Sequence, residues 1–397
     1  MNGEVQLFRS YFLAGFDGAS QLRADGRRID LLAATGHDLH AAADYARLAA
    51  AGLLAARDSL RWHRIERAPG RYDFGEALPR LRAARRAGIE VVWDLCHYGL
   101  PDGLDIWSPE LVRRFAAFAR AAAEVVGAET PGRRWYVPVN EISFWAWAGG
   151  EVGYFHPCAV GRGAALKAQL VRAALAARRA VLEVDPGARF VASEPLVHVT
   201  APASSPAAHR EAEAYHGAQF EALEMIAGRL RPELGGEEAA LDVVGLNYYP
   251  GNQWLRPGGS KLRPGHPLHR PLSSLLAEAA ERYRRPLVLT ETGAEGPRRR
   301  RWLASVAREV RAARRAGVAV GGICLHPILD YPGWDDDRHC ATGLWGFAGE
   351  RGERALYRPL ARELAWQQRA FAPQRPPREE PAAAAHAVPF SHSSQGA

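Results

Sequence analysis

One feature constrains this chain more than any other: short apolar runs alternate regularly with long Ala-, Arg- and Leu-rich stretches of helical character. The strand-like runs are Phe12–Phe16, Leu53–Arg57, Ile89–Cys96, Trp135–Asn140, Arg189–Ser193, Leu241–Asn247, Pro286–Thr290 and Val318–Leu325. Helical patterns follow them over His40–Ala51, Gly75–Ala87, Pro109–Val126, Ala164–Glu183, Ala208–Leu230, Leu272–Tyr283, Arg301–Ala316 and Arg354–Arg369. Alternation of this kind implies parallel strands joined by helical crossovers. Eight units predict an α/β chain folded as a single (β/α)8 TIM barrel. A doubly wound open sheet is the alternative, but no glycine-rich phosphate loop follows the first strand. The stretch Gly15-Phe16-Asp17-Gly18 does not fit that fingerprint.

At 397 residues the chain is long for one average domain, yet barrels run from about 250 to over 400 residues. The barrel is expected to occupy residues 1–372. Residues 373–397 are rich in Pro, Ala and Ser without an apolar period, and read as a disordered tail. A second irregular stretch, Pro250–Pro271, follows the sixth strand and reads as a binding loop or lid over the C-terminal face.

Composition excludes several classes. No apolar run approaches the roughly 20 residues of a membrane span. Met1–Ser10 lacks a basic start and apolar core, so no signal peptide is expected. Cys96, Cys158, Cys324 and Cys340 are widely separated and lack metal-type spacing. The expected compartment is the cytoplasm, with reduced thiols. The net charge of +7 is almost all Arg, spread along the chain, whereas a nucleic-acid binder concentrates it on one face. Only Arg298–Arg301 form a block. They read as a solvated run, with an anion-binding rim for a phosphorylated, acidic or nucleotide-linked sugar as the alternative.

In a barrel, strand C-termini carry the site. Here they carry Arg57, Asp94 and His97, Asn140 and Glu141, Ser193 and Glu194, Asn247 to Tyr249, Glu291, and His326. Packing alone does not explain polar residues closing apolar strands one after another. Two carboxyls on separate strand ends suit glycoside chemistry, one protonating the departing oxygen and one attacking the anomeric carbon. Strands four and seven stand nearly opposite in a barrel of eight, so Glu141 and Glu291 are the expected pair. Arg57 would keep a nucleophile ionised, while burial and the second carboxylate would keep an acid protonated.

At this point the sequence resembles glycoside hydrolase family 1, as a divergent member. The matching stretches are Phe12-Leu13-Ala14-Gly15 through Gln21, Arg57-Asp58-Ser59-Leu60-Arg61-Trp62, Leu95-Cys96-His97-Tyr98, Val139-Asn140-Glu141, Gly245-Leu246-Asn247-Tyr248-Tyr249, Thr290-Glu291-Thr292-Gly293, and Leu329-Asp330 with Trp334. The resemblance implies a retaining β-glycoside hydrolase, β-glucosidase-like, with Glu291 as nucleophile and Glu141 as acid/base. It implies Arg57 and Tyr249 as supports of the nucleophile. Gln21, His97, Asn140, Asn247, His326 and Trp334 form the expected substrate-binding set. No cofactor or metal is expected, and the partner is a small-molecule glycoside.

Four departures stand out. Ile142 replaces a Pro, Tyr98 a Trp, His326 a sugar-stacking Trp, and Gly333 the Glu that holds sugar hydroxyls. A glucoside is therefore not assured. A transglycosidase using the same pair and a non-catalytic sugar-binding barrel are the alternatives. The aromatic run Phe144, Trp145, Trp147, Tyr154 and Phe155 reads as an aglycone-side lining. Asp335–Asp337 read as loop or Arg partners rather than a metal site, and Asp94 as a partner of an Arg.

Overall fold

A computed structural model describes residues 5–202 and 205–372. The expected tail at 373–397 lies outside the described residues. Eight parallel strands close into a barrel: β1 Phe12–Gly15, β2 Ala55–Ser59, β3 Glu90–Asp94, β4 Trp135–Val137, β5 Arg189–Pro195, β6 Val243–Asn247, β7 Leu287–Thr292 and β8 Val320–Leu325. Each pairs with its sequence neighbours, and β8 closes on β1, with Phe12 opposite Ile323. The crossover helices are α1 His37–Ala50, α2 Leu78–Ala87, α3 Pro109–Glu129, α4 Gly163–Val184, α5 Pro206–Gly217, α6 Leu272–Tyr283 and α7 Arg298–Arg315. Helix α8, Arg358–Phe371, follows β8.

Two apolar layers hold the barrel together. The inner layer takes Leu13, Ala55, Val92, Trp135, Val137, Val191, Val243, Val288 and Cys324 from the eight strands, with Phe8 packed among them. The outer layer buries the alternate strand residues against the helices. Helix α7 shows the spacing that makes this possible. Leu303, Val306, Ala307, Val310 and Ala313 recur every three or four residues and form its buried stripe.

Side chains alternate faces along a strand, so each inner apolar residue fixes what faces inward two positions later. Ala55 is followed by Arg57, Val92 by Asp94, Val191 by Ser193, and Cys324 by His326. Strand β7 departs from this rule. Against β6, Leu289 pairs with Leu246 but Glu291 pairs with Asn247, so the register slips by one. Slips of this kind re-aim side chains next to functional sites. This one puts Glu291 in phase with Asn247.

Three expectations need correction. The helix expected over Ala208–Leu230 is broken at Ala218–Phe220, with a short second helix at Glu221–Ile226. Arg354–Leu356 is an edge strand against Trp345–Ala348, and the last helix begins only at Arg358, with Pro359 in its first turn. The Pro250–Pro271 loop is not irregular throughout. Its Gln253–Leu255 pairs with His198–Thr200, and the Gln253 amide donates to the Tyr248 hydroxyl at 2.8 Å and to the Arg270 carbonyl at 2.8 Å.

On the outer face of β2, Asp58 is fully buried and ties the barrel to two helices. It accepts from Tyr45 of α1 at 2.7 Å and from Arg80 of α2 at 2.8 Å, with His37 at 3.3 Å. Burial opposes its charge, but Arg80 and His37 hold the carboxyl well below the usual range. Arg80→Met would strand that charge, so urea unfolding should show a loss of about 3–5 kcal/mol. Stability equal to wild type would contradict the role given to the pair.

Candidate active site

Arg57 is the hub of the C-terminal face. It is 1% exposed and donates to Asp94 at 2.8 Å, to Glu291 at 2.7 Å, and to Asn140 Oδ1 at 2.7 Å. One side chain of β2 thus ties together β3, the β4 loop and β7. Asp94 also receives His97 Nδ1 at 3.1 Å, so it orients both the cation and the imidazole. Its expected pairing with an arginine is present, and its place in this network exceeds what the sequence indicated.

Glu291 accepts from Arg57 on one oxygen and from the Tyr249 hydroxyl, at 2.8 Å, on the other. Burial opposes its charge. His326, Arg57 and His97, with the Tyr249 hydroxyl, outweigh that and bring the carboxyl down to about 2. His326 is itself held below the ordinary imidazole value by burial, and Arg57 is the cation in direct contact with Glu291, at 2.7 Å.

Glu141 lies four residues past the end of β4, at φ +46°, a left-handed backbone that is rare for a non-glycine residue and concentrates at functional sites. Tyr98, at φ +66°, shares that property. The Tyr98 hydroxyl donates to Glu141 Oε2 at 2.6 Å, and Asn247 Nδ2 donates to Oε1 at 3.0 Å. Burial and the negative charge of Glu291 nevertheless push the Glu141 carboxyl up to about 7. The two carboxyls are driven apart by their surroundings.

Both amides in the site are spent on protein groups. Asn140 Oδ1 takes Arg57, and its Nδ2 serves His97 Nε2 and the Tyr98 hydroxyl, each at 3.0 Å. Asn247 Oδ1 takes Ser193 at 3.2 Å and Thr290 at 2.7 Å, which aims its Nδ2 at Glu141. In this structure Asn247 thus donates to the Glu141 carboxyl.

Of the expected residues, Glu141, Glu291, Arg57, Tyr249, His97, Asn140, Asn247 and His326 join one network. His326 reaches it through Tyr249, at 3.2 Å. Trp334 borders it, with its ring 6.0 Å from that of Tyr98. Gln21 is buried on the β1 loop and its Oε1 has no hydrogen-bond partner. Glu194 is buried behind the site, where it accepts from the Ser143 amide at 3.0 Å. Burial pushes its carboxyl up to about 7.

Two expectations outside the network can be placed. Asp335 accepts from Tyr154 at 2.8 Å, and Asp337 pairs with Arg27. Arg298, Arg300 and Arg301 are exposed, but Arg299 turns inward, donating to the Gly343 carbonyl at 2.7 Å and lying 3.6 Å over the Tyr357 ring.

Sequence reasoning missed the Tyr98 hydroxyl and Asp17. Asp17 lies two residues past β1, and that position was the available signal. Tyr98→Phe removes a donor to the ionised form of Glu141, so carbon-13 NMR should show that carboxyl titrating higher than in wild type. An unchanged or lower titration would contradict the contact.

No family model and no curated relative matches the sequence. Solved structures do match. A family 1 β-glucosidase from Thermotoga maritima is 18% identical, with 90% of this chain and 96% of that one covered and a TM-score of 0.71. The β-glucosidase from the same organism in complex with glucoimidazole is 17% identical over 93% and 100%, with a TM-score of 0.74. The AHE enzyme from Alicyclobacillus herbarius is 19% identical over 93% and 100%, with a TM-score of 0.76. At these identities the likeness is one of fold: the chain has the closed parallel (β/α)8 barrel of the family 1 β-glucosidases.

Proposed function

We propose that this chain is a retaining β-glycoside hydrolase in which Glu291 is the nucleophile and Glu141 the acid/base. The observation that carries the reading is the opposite bias on two carboxyls at the β4 and β7 ends. Glu291 is held ionised at about 2, and Glu141 keeps a proton up to about 7. Pairs pushed apart in this way mark acid and base assignments. The barrel shared with family 1 β-glucosidases supports the same chemistry.

In the first step Glu291 attacks the anomeric carbon as the glycosidic C–O bond breaks. Glu141 gives its proton to the departing oxygen, so the aglycone leaves as a neutral alcohol. The charge on Glu291 is then consumed in an ester bond to the sugar. That loss removes the repulsion that kept Glu141 protonated, and Glu141, now ionised, takes a proton from water. The water oxygen attacks the anomeric carbon, the ester bond breaks, and Glu291 returns as a carboxylate. Arg57 and Tyr249 hold Glu291 ionised and oriented. Asn247 and Tyr98 hold Glu141.

A transfer reaction is the second reading. It is favoured by the aromatic surface next to Glu141, where Tyr98, Phe144, Phe155 and Trp334 lie within 6.4 Å of one another and Trp147 and Tyr154 are exposed. An apolar alcohol could occupy that surface in place of water. New glycosides formed when such alcohols are added would select this reading, and free sugar alone would select hydrolysis.

The pH dependence follows from the two carboxyls. Activity requires Glu291 ionised and Glu141 protonated, so kcat/KM should hold on the acid side of neutrality and fall as pH rises through about 7. Glu291→Gln should reduce turnover of aryl β-glycosides to background while the thermal transition stays near wild type. Glu141→Gln should cost about 10²–10⁴-fold, less for aglycones that leave without a proton. Near wild-type activity in Glu291→Gln would overturn the assignment.

A further inference from the structure

We propose that Asp17 is the glycone anchor of this pocket, and that with Gln21 and His326 it selects a neutral, hydroxyl-donating sugar and excludes phosphorylated and uronic ones. The inference uses the preceding section only in taking the pocket as a sugar site.

Asp17 lies on the loop just past β1, with its side chain 8% exposed. Gly18 permits that placement, since a side chain there would meet Ser59 Oγ at 1.7 Å. One Asp17 oxygen accepts from the Ala19 amide at 2.9 Å and stands 3.9 Å from His97 Nε2. The other takes no hydrogen bond among the described residues, and no Arg or Lys pairs with the carboxylate there. The approach to His97 places it among the groups of the site.

Two buried acceptors beside it are unmet. The Tyr249 hydroxyl has one proton and gives it to Glu291, so its oxygen must accept from His326 Nδ1. The neutral ring then leaves Nε2 as an acceptor, and that atom is buried without a partner. The buried Gln21 Oε1, on the same loop as Asp17, also lacks one. Several donors nearby are committed elsewhere: Asn140 to His97 and Tyr98, Tyr98 to Glu141, Tyr249 to Glu291.

Leaving buried acceptors unmet costs free energy, so a ligand that fits must bring hydrogens to them. Sugar hydroxyls do. A phosphate or carboxylate would set acceptor against acceptor and negative charge against Asp17 and Glu291.

Phenyl 1-thio-β-glycosides of glucose, galactose and fucose, with the 6-phosphate of glucose and the glucuronide, test this by calorimetry without turnover. At least one neutral member should bind wild type, and the two anionic members should bind at least tenfold more weakly. Asp17→Asn keeps the acceptor for the Ala19 amide, so the fold should survive, which a thermal melt checks. It should lose roughly 10- to 100-fold in affinity for the neutral sugar, as expected for a lost hydrogen bond to a charged group, and narrow the gap to the anionic ones. Unchanged affinity in Asp17→Asn, preferred binding of an anionic member, or binding of none by wild type would overturn the proposal. Asp17-dependent binding without hydrolysis would sink the hydrolase reading alone. Hydrolysis with Asp17→Asn unaffected would sink this one alone.

Discussion

The site depends on one buried cation. Arg57 comes from the inner face of β2, where alternation from Ala55 leaves it no route to solvent. A guanidinium in that position must be surrounded by acceptors, because an uncompensated charge inside a protein is costly. The acceptors are Asp94, Asn140 and Glu291. The planar, always charged fork of Arg suits this three-way task, and a Lys point charge would not. The demand for compensation and the functional geometry are the same contacts. Satisfying Arg57 fixes where the ends of β3, β4 and β7 stand.

From that fixed point the two carboxyls acquire different characters. Glu291 shares a direct ion pair with Arg57 and a tyrosine hydroxyl. Glu141 has only neutral donors, Tyr98 and Asn247, and feels the negative charge of Glu291. Identical side chains in one pocket therefore diverge because one touches the cation and the other does not. Their backbones are set by different devices. Glu291 turns inward through the register slip of β7 against β6. Glu141 reaches the pocket through a left-handed residue in the β4 loop.

Much of this was legible in the sequence. The eight alternating units gave the barrel, because a run that is apolar throughout and bounded by helical patterns has few other uses. Arg57, Glu141, Glu291 and Tyr249 stood out because polar residues closing apolar strands have no packing rationale. What was not legible depended on geometry that period-two counting cannot deliver. Simple alternation from Val288 would not turn Glu291 inward, and only the slip does. That Ser193 and Thr290 aim the Asn247 amide at Glu141 was not legible either. Asp17 was marked only by its place just past β1. It matters because Gly18 lets the β1 loop lie against Ser59, a close approach that is visible only in three dimensions. Helical composition likewise hid the break at Ala218–Phe220.

The central claim is that Glu291 bonds covalently to the sugar while Arg57 and Tyr249 hold it ready. Intact-protein mass spectrometry after incubation with activated 2-deoxy-2-fluoro β-glycosides measures that bond directly, because the fluorine slows release of the sugar ester. The account predicts a mass increase of one fluorosugar, mapped by peptide digestion to Glu291 and absent from Glu291→Gln. A label on any other residue, or turnover of the parent glycoside by Glu291→Gln at the wild-type rate, would contradict it.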